Sequence, residues 1–243
     1  MTSNRELLDA ALLAEAAYAI LVNDSGQIKS PDAVLAALIA EGWSPSQAGS
    51  FLLQYRVIHQ QPNTATGFSA TLFEKLNNGV PTGQYVFATR GTEPTAQFGR
   101  DLAVDIGDLV LDGLAWSQVV DMYNYWKRLT TAPGQSYQQA QLVTIPDDGS
   151  QAPGTYIRDT GSSFVHRIVL APATDGIGAV AAGAPLQVAG HSLGGHLASA
   201  FTRLFPNVAS QAYSINGAGY AEILAIKNMN TCRYNRILTR IRY

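Results

Sequence analysis

The sequence predicts an α/β fold, a single domain over residues 1–243 with a central, mostly parallel sheet, and three observations carry that prediction. Segments with helical and strand periodicity both occur along the chain. A short apolar strand, residues 186–189, runs directly into the glycine-rich stretch that starts at Gly190. A helix-period segment, residues 197–204, begins directly behind that stretch. With 47% hydrophobic residues in 243 positions and a mean hydropathy of +0.02, the chain has enough apolar mass for one substantial core.

The elements follow in order. Ser3 and Glu6 have capping-box spacing, and Leu7, Leu8, Ala11, Leu12, Ala14, Tyr18 and Leu21 recur behind them at helical intervals. Ser30-Pro31 and Ser44-Pro45 each set a capping hydroxyl before a proline whose fixed φ suits a first helical turn, with Gly42 closing the segment between. Residues 1–55 are therefore expected to be N-terminal helices. From Arg56 the pattern changes to strands at 57–60, 68–73 and 85–88, with an Asn77-Asn78-Gly79 turn before the third. Residues 101–129 read as helix, 137–189 as mixed strand and loop, and 211–215 as a strand closed by Asn216-Gly217.

Charge and composition remove several classes of function. A net charge of −2 and a pI near 6.1 provide no basic field for phosphate backbones, so nucleic acid is not an expected partner. The single cysteine, Cys232, excludes an intrachain disulfide framework and a thiolate metal cluster. No apolar run approaches the roughly 20 residues of a membrane span. The start Met-Thr-Ser-Asn-Arg-Glu leads into an amphipathic helix interrupted by Asp9 and Glu15, so no N-terminal signal peptide is expected. That leaves a cytoplasmic location and secretion by another signal both open. Residues 227–243 form an atypical basic tail with Lys227, Arg233, Arg236, Arg240 and Arg242, read either as a change of frame or truncated end or as a basic surface helix.

The chemistry concentrates in Gly190-His191-Ser192-Leu193-Gly194-Gly195. A serine hydroxyl projecting from a sharp strand-to-helix turn needs small residues two before and two after it, which Gly190 and Gly194 supply. The same turn sets Ser192 at a helix N-terminus, where the Leu193 N–H and the helix dipole favour a developing negative oxygen. A glycine-rich connection with an incidental serine is the plainer alternative.

This hexapeptide, together with Phe87-Ala88-Thr89-Arg90-Gly91-Thr92, resembles the class 3 lipases, α/β-hydrolases that include fungal triacylglycerol lipases and bacterial lipase-like proteins. The segment from Asp105 is similar to bacterial lipases and polyurethanase-type esterases, and the likeness spans roughly residues 57–220. The resemblance implies an α/β-hydrolase fold and a carboxylic-ester hydrolase of triacylglycerol lipase or carboxylesterase type, acting on an acyl ester or lipid. It implies Ser192 as nucleophile, Thr92 and Leu193 as oxyanion donors, an acyl-enzyme intermediate and no required cofactor.

The chain departs from that pattern downstream. In α/β-hydrolases the acid and the histidine follow the serine, whereas the 51 residues after Ser192 hold no aspartate, one glutamate, Glu222, and one histidine, His196. His196 lies on the expected elbow helix and should not reach back to Ser192; His191 is expected to be packed or hydrogen-bonded, and His59 and His166 to be structural. Glu222 has no histidine to orient, so acid and base are not identified. The expectation is a truncated lipase lacking C-terminal strands, with impaired turnover; the alternative is a noncatalytic fragment or pseudoenzyme retaining an acyl- or lipid-binding groove.

Two further features stay open. Asp101, Asp105, Asp108 and Asp112 would share one helix face, as a solvated acidic surface or as calcium ligands. Trp116, Met122, Tyr123, Tyr125 and Trp126 fall in a candidate lid region, 93–130, and fit either a lid making transient contact with a lipid interface or a helix buried against the sheet.

Overall fold

The computed structural model describes residues 3–91, 115–151, 156–158, 163–181 and 183–217. The expected N-terminal helices form as α1 (Asn4–Ala16), α2 (Pro31–Ala40) and α3 (Pro45–Leu52). Each is started by its serine: Ser3, Ser30 and Ser44 accept from the backbone N–H three residues on, and Glu6 returns the Ser3 bond to complete the capping box.

Strands β1 (Tyr55–Gln61), β2 (Ala70–Asn77) and β3 (Val80–Thr89) form an antiparallel meander. Between β2 and β3, Asn78 and Gly79 have φ of 50° and 78°, the pair of left-handed conformations that a two-residue hairpin needs. The buried Glu74 carboxylate on β2 accepts from the Arg56 guanidinium at 2.6 Å and from the Gly83 N–H at 2.8 Å, which ties three strands together.

Helix α4 (Trp116–Thr130) leads into an antiparallel ribbon of β4 (Ser136–Pro146), β5 (Ile157–Arg158) and β6 (Phe164–Asp175), a separate sheet in the order β4-β6-β5. The chain then returns to the main sheet as β7 (Leu186–His191), turns into α5 (Leu193–Leu204) and ends its described course in β8 (Ala209–Ile215). The main sheet has the order β1-β2-β3-β7-β8.

The fold is thus of α/β type, but its main sheet is mixed and not mostly parallel. Strands joined by tight turns must run antiparallel, and only the pairs β3–β7 and β7–β8, whose connections are long or helical, run parallel. Side chains on the sheet alternate between two cores. Phe73, Val86, Ala88 and Ala189 face α1 and α3, whereas Leu72, Phe87, Val188 and Leu186 face α4 and α5. On the second face Phe201 lies 5.2 Å from Phe87 and 5.1 Å from Trp126, ring centre to ring centre, so the helix behind Ser192 is anchored through aromatic packing.

Of the two readings of the candidate lid region, its described part fits the helix buried against the sheet. Trp116, Met122, Tyr123, Tyr125 and Trp126 are all buried in the core under the sheet, so α4 is a packing helix and not a cover. Its burial pushes the Tyr125 hydroxyl well above the ordinary phenol range, where it meets His59 Nδ1 at 2.8 Å. The remainder of the lid region and the basic tail 227–243 lie outside the described residues. Among the described residues no helix is long and apolar enough to cross a membrane.

Candidate functional site

Ser192 occupies the one-residue turn between β7 and α5, with φ 55° and ψ −125°. A non-glycine residue in that region costs on the order of 1–3 kcal/mol and persists only where its surroundings fix it. Those surroundings are backbone. The Ser192 N–H donates to the Ile215 carbonyl of β8 at 3.1 Å, and the Ser192 carbonyl accepts from Gly195 N–H at 2.9 Å.

The glycines of the motif are required by close approach. A Cβ on Gly190 would stand 2.1 Å from the Gly194 carbonyl oxygen, and one on Gly195 would stand 2.8 Å from Gly217 Cα. A Cβ on Gly194 would stand 2.3 Å from the Thr89 carbonyl oxygen and 2.9 Å from Gly91 N. No side chain fits at any of these points, so strand, turn, helix and the end of β3 meet backbone to backbone. The buried Thr89 hydroxyl fastens the junction, donating to the Gly194 carbonyl at 2.7 Å and lying 3.2 Å from that of Ala189.

The structure therefore brings Thr89, Arg90 and Gly91 against the turn, although about 100 residues separate them from it in sequence. Thr92, assigned to the oxyanion by resemblance, lies outside the described residues. Leu193 is the first residue of α5, so its N–H has no acceptor within the helix.

Ser192 opens on a cavity of about 570 Å³ at the carboxyl end of β7, lined also by Ala11, Glu15, Tyr18, Glu41, His191 and Ile215. A crevice beyond the carboxyl ends of parallel strands is the usual ligand position in open α/β sheets. Ala11 and Ile215 give its wall apolar surface, and the exposed Glu15 and Glu41 bring carboxylates to it.

His191 is hydrogen-bonded, as the sequence suggests, its Nδ1 3.3 Å from the Tyr18 hydroxyl, and it lines the cavity beside Ser192. His196 is wholly buried on α5 and is not among the cavity's lining residues. His59 and His166 lie on β1 and β6, bonded to Tyr125 and Thr144 respectively, away from this cavity. Desolvation, with the nearby Arg128 charge adding to it, holds the His59 imidazole below its ordinary range.

Glu222 and the four aspartates Asp101, Asp105, Asp108 and Asp112 lie outside the described residues. Among the described residues no three His, Cys, Asp or Glu side chains gather as a metal site would require. Sequence reasoning missed the contribution of the N-terminal segment, Ala11, Glu15, Tyr18 and Glu41, because no local signal marks a residue that reaches the serine only through tertiary packing.

No family model, no curated protein and no solved structure matches this chain.

Proposed function

We propose that this chain carries the nucleophile and oxyanion half of a serine carboxylic-ester hydrolase of the α/β-hydrolase, class 3 lipase type, taking acyl glycerols or simpler esters. The observation that carries the reading is the strained Ser192 at a strand-to-helix turn, held by three glycines, packed against residues 89–91 and open to a partly apolar cavity.

In this reading the Ser192 Oγ bonds to the ester carbonyl carbon and passes its proton to solvent water, while the carbonyl π pair moves onto oxygen. The Leu193 N–H, at the positive end of the α5 dipole, stabilises that oxyanion, and the Thr92 N–H is a second donor by the resemblance alone. Collapse expels the alcohol, which takes back a proton from solvent water, and a second water then attacks the acyl-enzyme to release the acid and restore the Ser192 hydroxyl. Ala11 and Ile215 would receive the apolar acyl part.

The 51 residues after Ser192 contain no aspartate, and their one histidine, His196, is buried in α5. Turnover by residues 1–243 on their own is expected to fall several orders of magnitude below that of a complete triad, leaving the share contributed by oxyanion stabilisation and binding.

Incubation of the 243-residue chain with a fluorophosphonate, read by intact mass with Ser192→Ala as control, tests the reading. A single Ser192-dependent adduct, forming more slowly than on a complete lipase, is the expected result. The absence of any adduct after prolonged incubation overturns it and favours a noncatalytic acyl-binding fragment.

A further inference from the structure

The N-terminal segment supplies a hydroxyl to the wall of the Ser192 cavity, and its placement is rigid. Directly after α1 the chain turns through Tyr18, whose N–H donates to the Glu15 carbonyl at 3.0 Å. The next residues are bolted to the sheet by the buried Gln60 side chain. Its Oε1 accepts from Leu21 N–H at 2.7 Å, and its Nε2 donates to the Ala19 carbonyl at 2.8 Å and to the Thr71 hydroxyl at 2.9 Å. Tyr18 is thus fixed on both sides in sequence, the preorganisation that a catalytic donor requires.

Its hydroxyl reaches the junction of the two segments that the proposed function uses. At Gly91, a Cβ would stand 2.5 Å from the Tyr18 hydroxyl oxygen, 2.5 Å from the His191 carbonyl oxygen and 3.2 Å from Ser192 Cβ. The phenol oxygen therefore lies against the backbone that leads into Thr92, on the side facing Ser192. The His191 ring nitrogen Nδ1 lies 3.3 Å from that hydroxyl, and both residues line the cavity beside Ser192.

Resting on the reading above, we infer that Tyr18 is a catalytic residue of this site, its O–H donating to the ester carbonyl oxygen as negative charge develops there. It adds a side-chain donor to the backbone N–H groups of Thr92 and Leu193. Tyr18 gives up no proton in the step: it hydrogen-bonds the oxyanion and releases it when the carbonyl re-forms.

The phosphoryl oxygen of a fluorophosphonate occupies the same position as the ester carbonyl oxygen, so the rate of Ser192 labelling reads the donor set directly. In Tyr18→Phe that rate is expected to fall on the order of 10²-fold, the usual effect of removing one oxyanion donor, with an unchanged far-UV spectrum and melting temperature. Incorporation of trifluorotyrosine at position 18, which acidifies the hydroxyl and keeps the ring, is expected to label several-fold faster than the parent below the pKa of that phenol. Equal labelling rates for the parent and Tyr18→Phe would overturn the inference while leaving the ester-hydrolase reading intact. Should Tyr18→Phe not fold, the trifluorotyrosine protein decides alone: faster labelling supports the inference and an unchanged rate overturns it. A parent chain that never labels removes the proposed function itself, and the inference with it.

Discussion

Gly194→Ala tests whether the close contact between the turn and the end of β3 sets the geometry of the site. The added Cβ would stand 2.3 Å from the Thr89 carbonyl oxygen and 2.8 Å from Arg90 C. Ordinary carbon contacts lie near 3.5 Å, so about 1 Å of separation is needed. Neither side can yield easily. Thr89 is paired with Gly190 in the parallel ladder of β3 and β7, and its hydroxyl is bonded to the Gly194 carbonyl at 2.7 Å. Gly194 in turn belongs to α5, whose Phe201 packs on Phe87 and Trp126.

Forced overpacking of this kind costs about 1–3 kcal/mol, and weakening the Thr89 bond adds about 1 kcal/mol. A loss of roughly 2–4 kcal/mol is therefore expected in urea unfolding followed by circular dichroism. Because a misplacement of about 1 Å near reacting atoms can cost on the order of 10²-fold in rate, fluorophosphonate labelling of Ser192 should slow by a similar factor under conditions where the variant remains folded. Gly49→Ala is the matched control: it lies within α3, its Cβ would meet nothing within 4 Å, and alanine there should stabilise by about 0.5–1 kcal/mol. A Gly194→Ala protein with the parental midpoint and labelling rate would refute the argument that backbone contact at this residue sets the site.

Three other perturbations probe the same structure. Ser192→Gly removes the positive-φ penalty and should raise stability by about 1–2 kcal/mol over Ser192→Ala; equal midpoints in urea would show that the turn is not strained. Thr89→Val keeps the side-chain shape but deprives the Gly194 carbonyl of its hydroxyl donor, with an expected loss of about 1–3 kcal/mol, checked by thermal melting. His59, held below its ordinary range by burial, is harder to protonate when folded than in the unfolded chain, which takes the proton at about pH 6.5. Its stabilising share is present above that pH and lost as pH falls through and below it, so the melting temperature should drop between about pH 7.5 and 5.5. In His59→Gln the drop should be shallower, and an identical slope would assign the pH dependence to other groups.

How much of this structure was legible in the chain depended on the range of the interaction. The helix starts at Ser3, Ser30 and Ser44 were readable because a cap is a contact between residues three apart, and the Asn78-Gly79 hairpin because its two positive φ values need those residue types. The turn at Ser192 was readable for a local reason at Gly190, whose side chain would strike the Gly194 carbonyl four residues on, whereas a side chain on Gly194 would strike the distant end of β3. The direction of the strands was less legible, because a helix-rich chain suggests parallel crossovers, whereas the tight turn after β2 imposes an antiparallel partner. The β4 and β6 ribbon was hidden by glycine, proline and polar residues, its strands being stabilised mainly by pairing with each other and only partly by burial. The aromatic residues of α4 suited a lid and a core helix equally, and burial against Phe87 and Phe201 settled the described part as core.

Gly91 shows most clearly where local reading ends. In sequence it is one glycine of Arg90-Gly91-Thr92, and a motif comparison explains its presence by analogy alone. In the structure its missing side chain is required by two oxygens, the Tyr18 hydroxyl and the His191 carbonyl, each 2.5 Å from where a Cβ would stand. The first comes from a residue 73 positions upstream and the second from the turn itself. The glycine thus records a three-way contact between the N-terminal segment, the end of β3 and the turn that carries Ser192. A side chain at position 91 would push the Tyr18 hydroxyl and the turn apart together. The same steric fact that makes Gly91 necessary therefore places the Tyr18 hydroxyl beside the nucleophile, and sequence spacing alone could not have brought that hydroxyl into the site.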